Sequence, residues 1–187
     1  TPQTFLYDQD AALTAALAAL QNDQIAKAVA ADPDRLLGIA TLPMQAPVLA
    51  VDELRRAMRK LGLKGAQIGS NVNGRNLDDP ELGPLWAVAN DLGAFIMVHP
   101  TQVAGAERLK AYYLVNLIGN PLDTTIALSH LIFEGTLDRF PGLKICSAHG
   151  GGYLPSYAPR SDVCLHVAPE MDTGVKLKKK PTEYLRD

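Results

Sequence analysis

Two cysteines in 187 residues, Cys146 and Cys164, are too few for a disulfide framework, so the chain must rely on a hydrophobic core. Cys146 sits inside an apolar run and is expected to be a small core residue. Charge of one sign is also missing. A net charge of −2 and a pI near 6.1 leave no electrostatic case for a nucleic-acid or anionic-membrane partner. The one basic run, KLKKK (176–180), is short, stands just before a proline and reads as solvated surface. No window approaches the roughly 18 apolar residues of a membrane span, and no leader-like stretch opens the chain. The expectation is a reduced, cytoplasmic setting. Several signatures of chemistry are absent too: H-x-H, H-E-x-x-H, C-x-x-C and the phosphate-binding G-x-G-x-x-G.

What is present is an ordinary globular composition, 47% hydrophobic and 20% charged, of a length suited to one domain. Four apolar runs read as strands: RLLGIAT (35–41), GAQIGS (65–70), AFIMVH (94–99) and LKICSAH (143–149). All are continuous rather than alternating, which predicts a parallel sheet covered on both faces. Helical patterns separate them. Residues 11–31 are rich in Ala and Leu. In 47–62, Val51, Leu54, Met58 and Leu61 keep helical spacing between Pro47 and Gly62. In 78–93, Asp79 is a candidate N-cap followed by Pro80. A further helix is predicted over 122–139. The order β-α-β-α with right-handed crossovers fits either an open doubly wound sheet or part of a (β/α)8 barrel. A complete barrel typically needs about 250 residues, so this chain would cover only a portion of one.

Two of the four histidines, His99 and His149, close the third and fourth strand-like runs. Ligands of parallel α/β folds gather at the carboxyl ends of strands, and a histidine there can hold a metal or move a proton near neutral pH. A single histidine so placed serves equally well as a structural side chain bonded to a loop carbonyl. Two equivalent placements favour a shared site. The glycines after His149 (HGGGY) permit a tight turn and close backbone approach. An HGGG loop also forms the oxyanion hole of esterases, but the G-x-S-x-G elbow that would carry their serine is missing, which counts against serine hydrolysis. His130, in ALSHLIF, is expected to be a packed structural residue, and His166 has no supporting context.

From LQNDQIAKAVAADPDRLLGIATLPMQAP (20–47) onward the chain resembles the amidohydrolase-related, metal-dependent decarboxylases typified by 2-amino-3-carboxymuconate-6-semialdehyde decarboxylase. The likeness runs through GLKGAQIGSNVNG (62–74), VHP (98–100), GNPLDTTIALSHLIFEGTLDRFPGLKICSAHGGGYLP (119–155), APR (158–160) and LKKKPTEYLRD (177–187). It implies a (β/α)8 barrel of the TIM type. Residues 1–187 would be the central segment of a single domain carrying barrel strands three to six. It further implies one divalent metal, usually Zn2+, held by an H-x-H on the first strand, a histidine on the fifth and a late aspartate. His99 matches the fifth-strand ligand, and His149 the sixth-strand histidine that acts in proton transfer. Arg160 matches an arginine that binds a substrate carboxylate across a homodimer interface. Asn116 stands where the type enzyme carries a pocket tryptophan, and Thr101 where it has a second, implying a different or more polar substrate.

The implied function is non-oxidative decarboxylation of an unsaturated or aromatic carboxylate. A metal-dependent hydrolase on the same barrel and a truncated, non-catalytic remnant are the alternatives. The family's H-x-H and late aspartate fall outside these 187 residues, so weak metal binding is expected of the segment by itself.

Overall fold

A computed structural model describes residues 4–164, 167 and 173–186; His166 lies outside the described residues. The first helix, α1 (Ala11–Ala31), begins at Asp10, whose carboxylate accepts the Leu13 N–H at 2.9 Å. It is followed by β1 (Ala40–Thr41), α2 (Pro47–Arg59) and β2 (Gly65–Gly69). A small hairpin, β3 (Asn71–Val72) with β4 (Arg75–Asn76), precedes α3 (Gly83–Leu92) and β5 (Phe95–His99). Next come α4 (Asn120–Phe133), α5 (Thr136–Arg139), β6 (Lys144–Ser147) and α6 (Leu154–Cys164).

The four longer-range strands form one parallel sheet in the order β1-β2-β5-β6. Each β-α-β step thus adds a strand beside the last one, as in a barrel, rather than reversing direction across the sheet. In register, Ala40, Ala66, Ile96 and Ile145 form one row across the sheet, and Ile68 and Val98 fall on the same face two residues on. That face is buried: Ala66, Ile68, Ile96 and Val98 join one cluster with Leu54, Leu85, Trp86 and Leu131 from the helices. The Trp86 indole N–H, also buried, donates to the Leu77 carbonyl at 3.0 Å.

The opposite face corrects the expectation of a sheet covered on both sides. Gln67, Met97 and Cys146 share the adjacent row, and Cys146 is exposed rather than a core residue. Among the described residues, β6 pairs with β5 alone and forms the edge of the sheet. His99 belongs to this open face, in register with Gly69.

Asn22 of α1 explains how the other sheet edge is closed. Its side-chain amide donates to the Thr41 carbonyl at 3.0 Å and accepts the Thr41 N–H at 2.9 Å. The same amide group donates to Glu53 of α2 at 2.6 Å. Arg56 holds Glu53 through two nitrogens, at 2.8 and 2.9 Å, and reaches Asp23 at 2.7 Å. These paired acceptors hold the Arg56 guanidinium firmly in its charged form, raising its pKa.

Three local features differ from the sequence-based expectation. The helix over 78–93 opens as a 3-10 turn, Pro80–Leu82, although Asp79 caps it as expected by accepting the Glu81 N–H at 2.9 Å. The helix over 122–139 begins earlier, running on from a π-helical turn at Val115–Gly119, and it breaks at Gly135, where φ is 70°. The first strand is confined to Ala40–Thr41, and Leu37 before it is exposed.

Candidate functional site

His99 is the last residue of β5, and His149 follows β6 by one intervening residue, Ala148, whose N–H donates to the Val98 carbonyl at 2.9 Å. That bond extends the β5–β6 ladder past the strand and carries both imidazoles to the same rim. Their ring centroids are 5.4 Å apart, with the planes crossing at 66°. His149 takes up a left-handed backbone conformation, φ 55°, uncommon for a residue with a side chain. Gly150, Gly151 and Gly152 continue in positive φ, at 60°, 84° and 65°.

The ring nitrogens can be assigned by chemistry. His99 Nδ1 lies 3.0 Å from the Pro100 carbonyl oxygen, which can only accept. Nδ1 therefore carries a proton, and Nε2 is the nitrogen left to face a ligand. The partial burial of His149, and then the neighbouring His99 ring, push the His149 pKa below the ordinary histidine value.

Under this pair lies a polar network that sequence reasoning missed. Ser70 and Asn71, immediately after β2, and Asp123, in the first turn of α4, are all buried. The Asp123 carboxylate accepts from the Ser70 hydroxyl, from the Asn71 side-chain amide at 3.1 Å and from the Ala104 N–H at 3.0 Å. Ser70 and Asn71 in turn bind both backbone groups of Thr101: the Thr101 N–H donates to Ser70 Oγ at 3.1 Å, and Asn71 donates to the Thr101 carbonyl at 2.7 Å. One signal was available in the sequence, the single acid in the opening turn of α4. Its side-chain partners, Ser70 and Asn71, stand 53 and 52 positions away and carry no local mark.

The remaining candidates are less enclosed. Asn116 is exposed on the π-helical turn Val115–Gly119. That turn lies against the segment after His149, where Tyr153 Oη donates to the Ile118 carbonyl at 3.4 Å. Arg160 is exposed on α6, and neither residue is hydrogen-bonded to the histidine pair. His130 is half-buried, with Nε2 3.1 Å from Asn76 Nδ2 and Nδ1 2.7 Å from Asp78, and it ties α4 to the hairpin.

The parallel β-α sheet agrees with the comparisons. The amidohydrolase family model matches residues 3–175. The chain belongs to the amidohydrolase family. A 2-amino-3-carboxymuconate-6-semialdehyde decarboxylase of Dictyostelium discoideum is 44% identical over 161 residues, which is 82% of this chain and 45% of that protein. The crystal structure of 5-carboxyvanillate decarboxylase from Sphingomonas paucimobilis is similar with a TM-score of 0.88 at 32% identity, covering 97% of this chain and 55% of that one. A 5-carboxyvanillate decarboxylase of Novosphingobium aromaticivorans, complexed with manganese and 4-hydroxy-3-methoxy-5-nitrobenzoic acid, gives 0.88 at 30% identity, covering 95% and 52%. The chain therefore spans about half the length of these relatives, and its sheet is a four-strand arc of their (β/α)8 barrel.

The divalent metal implied by the family can be tested against the donors present. His99 fits: its Nδ1–H is bound by a backbone carbonyl, the arrangement usual for an imidazole that ligates through its other nitrogen. The described residues offer no group of three or more His, Cys, Asp or Glu side chains that could hold an ion. A closed centre at this rim needs ligands beyond them.

Proposed function

We propose that this chain forms the central part of the active-site rim of a metal-dependent, non-oxidative decarboxylase acting on an aromatic or unsaturated carboxylate. The observation that supports the reading most is the His99–His149 pair, 5.4 Å apart at the carboxyl ends of neighbouring parallel strands, in a family whose matched relatives are named as decarboxylases.

In this reading His99 is one ligand of a divalent cation, Zn2+ or Mn2+, which supplies charge stabilisation to the substrate's oxygens when bound. The carbon–carbon bond to the carboxylate breaks, carbon dioxide leaves, and the electron pair stays on the substrate carbon. His149 delivers the proton that takes up that pair. Its depressed pKa keeps the ring neutral in the resting site at neutral pH, so it collects a proton and passes it on instead of standing as a fixed cation. Arg160 orients a substrate carboxylate through a bidentate pair, reaching the site of a neighbouring copy in a homodimer. Asn116 offers an amide to a polar ring substituent. Its exposure suits a residue whose partner is substrate or a second subunit.

The test is product analysis. Protein containing this segment, loaded with manganese or zinc, is incubated with a panel of hydroxybenzoates and carboxymuconate-type acids. Release of carbon dioxide with formation of the decarboxylated product is expected. A hydrolytic product without carbon dioxide would replace this reading with that of a hydrolase.

A further inference from the structure

His99 ends β5 and His149 opens the turn after β6, yet one short stretch of helix is bonded to the segment that follows each. Asp123, in the first turn of α4, binds the loop that leaves His99. It takes the Ala104 N–H directly and holds Thr101 through Ser70 and Asn71. Two residues on, Thr125 binds the turn that carries His149. Its hydroxyl accepts the Tyr153 N–H at 2.8 Å and donates to the Pro121 carbonyl, also at 2.8 Å. Gly152 brings the backbone of that turn against the same helix. A Cβ there would stand 2.1 Å from the Pro121 oxygen and 2.6 Å from Thr125 Oγ1. The last glycine of the triplet thus serves close packing on α4, whereas Gly150 faces open space.

We propose that the first two turns of α4 are the positioning element of the site, with Asp123 and Thr125 setting the separation and relative orientation of His99 and His149. Neither residue reaches a ring itself; each fixes the backbone from which a ring is presented. The chemistry of Asp123 suits the task. A carboxylate only accepts, and three donors converge on this one, the Ser70 hydroxyl, the Asn71 amide and the Ala104 N–H. An asparagine would offer one acceptor oxygen and bring two further donors into a buried site. Thr125 is a two-way link, donor to its own helix and acceptor from the histidine loop, which serine could reproduce and valine could not. The proposal rests on reading His99 and His149 as one site. If it holds, a displacement of about 1 Å between them is enough to cost on the order of 10²-fold in turnover.

The test reads the ring pair directly by NMR, on the isotope-labelled 187-residue chain in the presence of a chelator. Wild type is expected to show cross-relaxation between the ring protons of His99 and His149. Thr125→Val and Asp123→Asn should each lose that signal while the circular dichroism spectrum is unchanged, and Thr125→Ser should restore it. Should Asp123→Asn fail to fold, the Val and Ser variants at 125 decide alone. A ring–ring signal at wild-type strength in Thr125→Val, or its loss in Thr125→Ser as well, overturns the proposal, as does its absence from wild type. The readout does not involve catalysis. Missing carbon dioxide release with these results intact would refute the decarboxylase reading and leave the positioning element standing.

Discussion

Asn22 pairs with Thr41 as a neighbouring strand would: one side-chain amide binds both the N–H and the C=O of a residue at the edge of the sheet. The edge strand is thereby closed by a helix, and Asn22 itself is fully buried. Asn22→Ala leaves both Thr41 groups without a partner, while Glu53 keeps its bonds to Arg56. Each buried unsatisfied group costs about 1–3 kcal/mol. The urea midpoint is expected to fall with an unchanged slope, and Asn22→Asp should be worse, since its carboxylate would face the Thr41 carbonyl and Glu53. A midpoint equal to wild type in Asn22→Ala would show that the mimicry contributes nothing.

His149 makes stability depend on pH. Because its folded-state pKa lies below the ordinary histidine value, the unfolded chain binds more protons as the pH falls between the two. Stability is therefore at full strength above the unfolded value and is lost as the pH drops through the folded one. The ring protons should titrate below the ordinary value in wild type. In His99→Gln the repulsion from the neighbouring imidazole is gone, and the midpoint should move up, part of the way back. A midpoint unmoved by His99→Gln would contradict the coupling of the two rings.

The glycines after His149 should respond unequally. Alanine at Gly150 meets open space and bears only the left-handed backbone, a cost of roughly 1–2 kcal/mol. Alanine at Gly152 bears a positive φ and also drives a Cβ into the Pro121 carbonyl. Thermal unfolding should show a clearly larger loss for Gly152→Ala. Equal losses would mean that the turn does not press on α4.

Much of this architecture is legible in the sequence because it is written locally. The long helix from Ala11 to Ala31 follows from composition, and the Asp79–Pro80 start follows from capping chemistry. The rim positions of His99 and His149 follow from where two apolar runs end. What escapes is set by neighbours in space. Cys146 reads as core because its strand is apolar, but burial depends on what lies across the sheet and beside β6. The hairpin at 71–76 has strands of two residues, too short to show an alternation. Asp123, Ser70, Asn71 and Thr101 meet only once two successive β-α units are folded together, so no short window along the chain contains them.

The most direct measurement is carbon dioxide release by His149→Ala, with the metal-to-protein ratio determined on the same sample. Loss of a positioned acid–base group should lower turnover by about 10²–10⁴-fold while the ratio stays at the wild-type value. Turnover within a few-fold of wild type, or a loss of activity that merely tracks a loss of metal, would contradict the assignment of His149 as the proton carrier.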